Sequence, residues 1–164
     1  MEKKLLLKIR LLLVFFIVCL VGAGVTAFPL EWEMRLLCDW MDISLTEPLE
    51  AYTGLSLWIA TVTHGIIETN INYPFLLYGT DWLAFAHIGI AVAFVGPLLD
   101  PIRNKWIIQW AMIMCVGNLP LAFICGPIRE IPFYWTLIDC SFGIFGIVPL
   151  IICYRYIKQL EEIA

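Results

Sequence analysis

An all-α membrane fold, a four-helix bundle with an interfacial helical segment between its first and second spans, is the architecture this sequence predicts. Of the 164 residues, 62% are hydrophobic and only 15% are charged, with a mean hydropathy of +0.89; soluble domains carry about 25% charged residues. Four apolar runs are each about long enough to cross the ~30 Å hydrocarbon core of a bilayer. The Lys and Arg residues cluster at alternate ends of those runs, the asymmetry that orients membrane helices. A chain of this length has room for a single membrane domain over residues 1–164, with one extramembrane excursion and no second soluble domain. The net charge of −4 offers no basic surface for nucleic acid.

The chain opens on MEKKLLLKIR, a basic start followed by an uninterrupted apolar run over 11–25. Two readings stay open here. The basic, apolar and small-residue layout fits a signal peptide with a cleavage box at 25–27. A first span over about 5–27 is also long enough, and the three further spans favour it.

Residues 28–80 change character. They carry Glu31, Glu33, Asp39, Asp42, Glu47, Glu50 and Glu68 against a single base, Arg35. This is the one sizeable extracytoplasmic excursion. Its opening, PLEWEMRLLCDWM, places a Pro at a first helical turn followed by acids, which predicts a short helix. A second helix starts from Pro48. Over 53–71 a helical wheel puts Leu55, Trp58, Ile59, Val62 and Ile66 on one side, with Thr53, Thr61, His64 and Glu68 largely opposite. The apolar stretch is too short to span, so it predicts an amphipathic helix on the membrane surface or over the bundle.

Pro74, Gly79 and a Thr80 suited to capping lead into span two at 81–99, about 28 Å of helix. Asp100 and Pro101 close it. Span three covers 106–125, ending before Gly126 and Pro127, and span four covers 133–154. Lys3, Lys4, Lys8, Arg10, Arg103, Lys105, Arg155 and Lys158 then share one side, with Arg35 and Arg129 on the other. By the positive-inside rule the chain is a multi-pass membrane protein with its N-terminus and C-terminus cytoplasmic and the acidic excursion outside.

That topology sets His87, Asn118 and Asp139 in one layer of the outer half of the membrane, where ionisable groups are costly and so attract a functional reading. Asp139 shares a face with Gly143, Gly146, Leu150 and Cys153, and should point into the bundle. Asn118 lies with Ala111, Cys115, Ala122 and Cys125. In span two the small-residue stripe is Ala86, Gly89, Ala93 and Gly96, and His87 projects away from it. The plainer explanation for Asp139 is hydrogen bonding to Thr136 or Asn118, or an approach to Arg129. His64 and Glu68, four residues apart, make either a solvated polar face or part of a metal site. The tryptophans read as an interfacial belt. Five of the cysteines lie in apolar segments and read as packing groups; Cys38, in the excursion, is the one for which a bridge to Cys125 or Cys140 is conceivable.

The phrases YGTDWLAFAH, DPIRN, GPIRE and IDCSFG are similar to those of an uncharacterised group of small four-span bacterial inner-membrane proteins, over about 78–154. The resemblance implies a four-span inner-membrane protein and supplies no activity. The repeated PIR could mark an internal duplication, but turn chemistry accounts for both copies.

No nucleophile beside a base, phosphate loop or metal motif is present, so the sequence does not read as an enzyme. The favoured function is non-enzymatic: binding or interaction through the acidic, aromatic outer cap, with the lipid bilayer, a membrane-protein partner or a homo-oligomer as the companion. One alternative is a redox, metal or haem site near His87 and Asp139, completed by His64, Glu68 or Cys140. Another is a small proton-coupled transporter subunit. No cofactor is predicted by the favoured reading.

Overall fold

The computed structural model describes residues 2–163 and is all-α, with no strand among the described residues. The helices are α1 (Glu2–Ala27), α2 (Leu30–Trp40), α3 (Gly54–Asn72), α4 (Tyr78–Ala93), α5 (Val95–Leu99), α6 (Lys105–Ile128) and α7 (Phe133–Glu161). Single 3-10 turns at Leu49–Ala51 and Pro74–Leu76 precede α3 and α4. Four segments are long and apolar enough to cross a membrane: Glu2–Ala27, Pro74–Leu99, Lys105–Ile128 and Phe133–Glu161. Only 11 to 28% of their most apolar windows are buried within the chain. The outward surface is therefore hydrocarbon, which fits a multi-pass membrane protein whose solvent there is lipid.

The chain divides into two compact units. Residues 1–19 and 91–164 form one, and residues 20–90 the other. In the first, α6 and α7 are the main helix pair. Their approach is set by glycine: a Cβ on Gly143 would stand 2.5 Å from the Cys115 carbonyl oxygen, and one on Gly126 would stand 2.9 Å from Thr136 Oγ1. Gly143, Leu150 and Cys153 are buried together on α7, the face that the stripe through Asp139 predicts. The N-terminal half of α1 belongs to the same unit. Leu5, Ile9 and Leu13 are buried, Phe16 stacks on Phe94 at 5.2 Å, and the Lys8 ammonium lies 5.0 Å from the centre of the Tyr156 ring.

Span two is interrupted at Phe94, between α4 and α5. The cause is Pro97, which lacks the N–H that would reach the Ala93 carbonyl and whose ring crowds that oxygen. The two PIR turns close in different ways. After α5, Asp100 Oδ1 accepts the Arg103 N–H at 3.0 Å, while Asn104 Nδ2 donates to the carbonyls of Gly96 and Asp100. After α6, Glu130 takes the left-handed conformation (φ 57°) and the Ile131 N–H reaches back to the Gly126 carbonyl at 2.9 Å. Local turn chemistry thus explains each without a duplication.

In the second unit α2 and α3 pair around Cys38, which is fully buried with its Sγ 3.3 Å from Thr63 Oγ1. All six cysteines are free, so the bridge conceived for Cys38 is not formed. The buried stripe of α3 is Ile59, Ala60 and Thr63; Leu55, expected on the apolar side, is 45% exposed. Thr63 is tolerated inside because its hydroxyl donates to the Ile59 carbonyl at 2.7 Å. Thr80 does not cap α4. The helix already begins at Tyr78, and the Thr80 hydroxyl donates to the Leu77 carbonyl at 2.6 Å. On α4 Ala84 is fully buried, and α1 crosses against it: a Cβ on Gly24 would stand 2.8 Å from the Ala84 carbonyl oxygen.

Gly143→Ala tests whether backbone proximity holds α6 to α7. The added methyl has no room against Cys115 and should cost about 1–3 kcal/mol. Gly117→Ala, where the methyl meets nothing within 4 Å, should stay within about 1 kcal/mol of neutral. Thermal unfolding of the two purified variants in the same detergent measures the difference, and equal melting temperatures would contradict it.

Candidate functional site

Asn118 and Asp139 come together across α6 and α7, but through the backbone: Asn118 Nδ2 donates to the Asp139 main-chain carbonyl at 2.8 Å. The same amide lies 3.3 Å from the place a Cβ would occupy on Gly143. The pair therefore reads as part of the helix crossing, with an amide bond tying one backbone to the next helix where glycine lets them meet. The Asp139 side chain is half-buried.

His87 belongs to the other unit. Its Nδ1 lies 2.8 Å from the Leu83 carbonyl. A carbonyl only accepts, so Nδ1 is the donor of this bond. The Cβ of His87 sits 3.2 Å from the place a Cβ would take on Gly24, which sets the histidine beside α1. Of the small-residue stripe in span two, Ala86 and Gly89 are exposed, with nothing within 4 Å of a Cβ on Gly89, whereas a Cβ on Gly96 would stand 3.3 Å from the Asn104 side chain. His64 is half-buried and Glu68 is exposed on α3. Among the described residues no group of three or more His, Cys, Asp or Glu side chains is arranged to hold a metal ion.

The most developed polar arrangement lies in the segment after α1. Arg35 Nε and Nη2 both approach Glu31 Oε1, at 2.9 and 2.8 Å, and Asn70 Nδ2 donates to Glu31 Oε2 at 2.7 Å. Glu31 and Arg35 are one helical turn apart on α2, so the ion pair is local. Asn70 comes from the last turn of α3, thirty-nine residues away in sequence, and converts the pair into a clasp between two helices. Asn70 first, and Arg35 second, hold the Glu31 carboxyl below its usual value. Beside the clasp is an open cavity of about 670 Å³, whose walls include Trp32, Tyr78 and Asp81.

Sequence reasoning missed this clasp. The i, i+4 spacing of Glu31 and Arg35 was visible, but Asn70 has no sequence signal linking it to α2. Comparison with family models, curated proteins and solved structures returns no match. The functional reading therefore rests on this chain's own residues.

Since Glu31 titrates below its ordinary value of 4.5, the unfolded chain takes up that proton more readily than the folded one. The stabilisation is fully present above pH 4.5 and is lost as pH falls through the lowered value. A near-ultraviolet circular dichroism melt repeated from neutral pH to pH 3 should show the wild type losing stability in that acid window. Glu31→Gln should start lower and lose less over the same range. Parallel curves for the two proteins would remove the clasp as the source.

Proposed function

We propose that this chain is a small multi-pass inner-membrane protein, both termini cytoplasmic, that works by binding rather than by catalysis, with its acidic aromatic outer cap as the binding surface. The observation that carries this is the unpartnered side of α2. Trp32, Leu36 and Trp40 recur every four residues and are 63, 52 and 82% exposed, while the opposite side packs Cys38 against α3. They line a hollow of about 540 Å³ together with Glu33 and Met34.

Large aromatic side chains at this spacing form an anchor stripe for a lipid interface or a helical neighbour. The clasp at Glu31 holds α2 in place, so the stripe is preorganised. Membership in the group of small four-span bacterial inner-membrane proteins belongs to the same proposal, as does the assignment of the cationic flanks to the cytoplasm. The companion is a lipid, a membrane-protein neighbour or a second copy of the chain.

A photoreactive amino acid in place of Trp40, irradiated in intact membranes, should yield discrete adducts to a protein or to lipid. A variant that inserts normally and yields neither would remove the cap as a binding surface. Reporter fusions at the two ends should both report the cytoplasm, and a tag in the turn after α2 should be reachable from outside. A C-terminus reporting the outside would reverse the assignment.

A further inference from the structure

The cavity beside the clasp does not stop at the polar groups. It shares Phe28, Tyr78 and Asp81 with a second hollow of about 280 Å³ that continues to Trp82 and Phe85. The two adjoin at Asp81, and the chemistry changes there. On one side stand the Glu31 carboxylate, the Arg35 guanidinium and the Asn70 amide. On the other the wall is aromatic. Tyr78 meets Trp82 edge to face at 5.9 Å, and Trp82 meets Phe85 in the same way at 6.0 Å. At positions i, i+4 and i+7 these rings run along one side of α4, the helix that leads into the second apolar segment. A hollow that is charged at one end and aromatic at the other, on a helix entering hydrocarbon, suits an amphiphile better than a soluble metabolite.

Charge selects the headgroup. Both oxygens of Glu31 are occupied by Arg35 and Asn70. The Arg35 guanidinium has five N–H donors, and only those on Nε and Nη2 face Glu31. Among the described residues no ion pair involves Asp81. The two acids and one base leave the site with an excess negative charge, which disfavours a purely anionic headgroup. A headgroup that carries both a phosphate and an ammonium has a partner for each: spare Arg35 donors for the phosphate, the Asp81 carboxylate for the ammonium. The Trp32 and Tyr78 rings add cation–π attraction for the ammonium.

We propose that the joined hollows form one site for an amine-bearing zwitterionic phospholipid, its headgroup between Arg35 and Asp81 and an acyl chain along Tyr78, Trp82 and Phe85. This rests on the reading of the outer cap as the binding surface and names its occupant. Native mass spectrometry of the full-length protein, titrated with equal amounts of phosphatidylethanolamine and phosphatidylglycerol of matched chains, measures the preference. Phosphatidylethanolamine should be retained about tenfold better, the effect of one favourable charge contact. Asp81→Asn should bring the two lipids near parity with helicity unchanged, whereas Trp82→Ala with Phe85→Ala should weaken both lipids and leave their ratio intact.

Parity in the wild-type protein overturns the proposal, whether or not the variants accumulate. An unchanged ratio in Asp81→Asn, or displacement by soluble glycerophosphoethanolamine as effective as by the lipid, overturns it too. Parity with photo-adducts still forming at position 40 refutes the lipid site alone. A preserved tenfold preference with no adducts refutes the α2 stripe alone.

Discussion

Lipid tails are as apolar as leucine, so helices that meet inside a bilayer gain little from covering hydrocarbon and must gain instead from close approach. That constraint decides where this chain holds together. At Gly143 the backbone of α7 comes so near α6 that a single methyl group would intrude on the Cys115 carbonyl, and Gly24 plays the same part between α1 and Ala84. Around these points the side chains are small or adaptable: Cys115, Cys140, Cys153 and Thr136 beside the α6 and α7 crossing. Bulk is turned outward, with Phe142, Phe145 and Ile144 all exposed on α7. Large side chains still fill the interior away from these crossings, with Ile9, Leu13, Phe94, Ile108, Leu150 and Ile157 fully buried, but many more face outward than a water-soluble surface would carry.

The same solvent explains how the interruptions are treated. A backbone group freed inside hydrocarbon finds no water, so a break needs a replacement partner nearby. The end of α5 shows one: the Asn104 amide donates to the carbonyls of Gly96 and Asp100, closing the last turn of the segment with a side chain rather than with solvent. Pro120 and Pro149 instead sit within unbroken helices. Prolines in membrane helices are accommodated in this way when neighbouring helices and local adjustment re-satisfy the freed carbonyl.

Much of this was legible. The four apolar segments follow from composition and length alone, since nothing but lipid accommodates so much exposed hydrocarbon, and the stripe through Gly143, Leu150 and Cys153 follows from the 3.6 period. The face of α4 did not follow. A stripe of Ala86, Gly89, Ala93 and Gly96 marks one side of span two, but what matters is where the neighbour also supplies a small residue, and the close approach of α1 is at Gly24, opposite Ala84 and His87. A wheel drawn for one helix holds no information about its partner's glycine. The cap was legible only in part. Ile59 falls on the apolar side of the α3 wheel and is buried, but Thr63 joins it inside because α2 sets Cys38 against its hydroxyl, a neighbour that a wheel of α3 alone does not contain.

The clasp at Glu31 connects these themes to binding. An exposed ion pair one turn apart on a helix contributes little to stability, so the Glu31 and Arg35 pair would not by itself fix α2. The Asn70 contact changes that, because it makes the last turn of α3 answer to the first turn of α2 and so orients the whole intervening segment. Arg35 also borders the cavity that Asp81 closes from the start of α4. A helix held this way presents Trp32, Leu36 and Trp40 outward and Arg35 toward the cavity at the same time. Release of Asn70 would loosen both surfaces together, which is why the stripe and the cavity are better understood as two sides of one structural element than as separate sites.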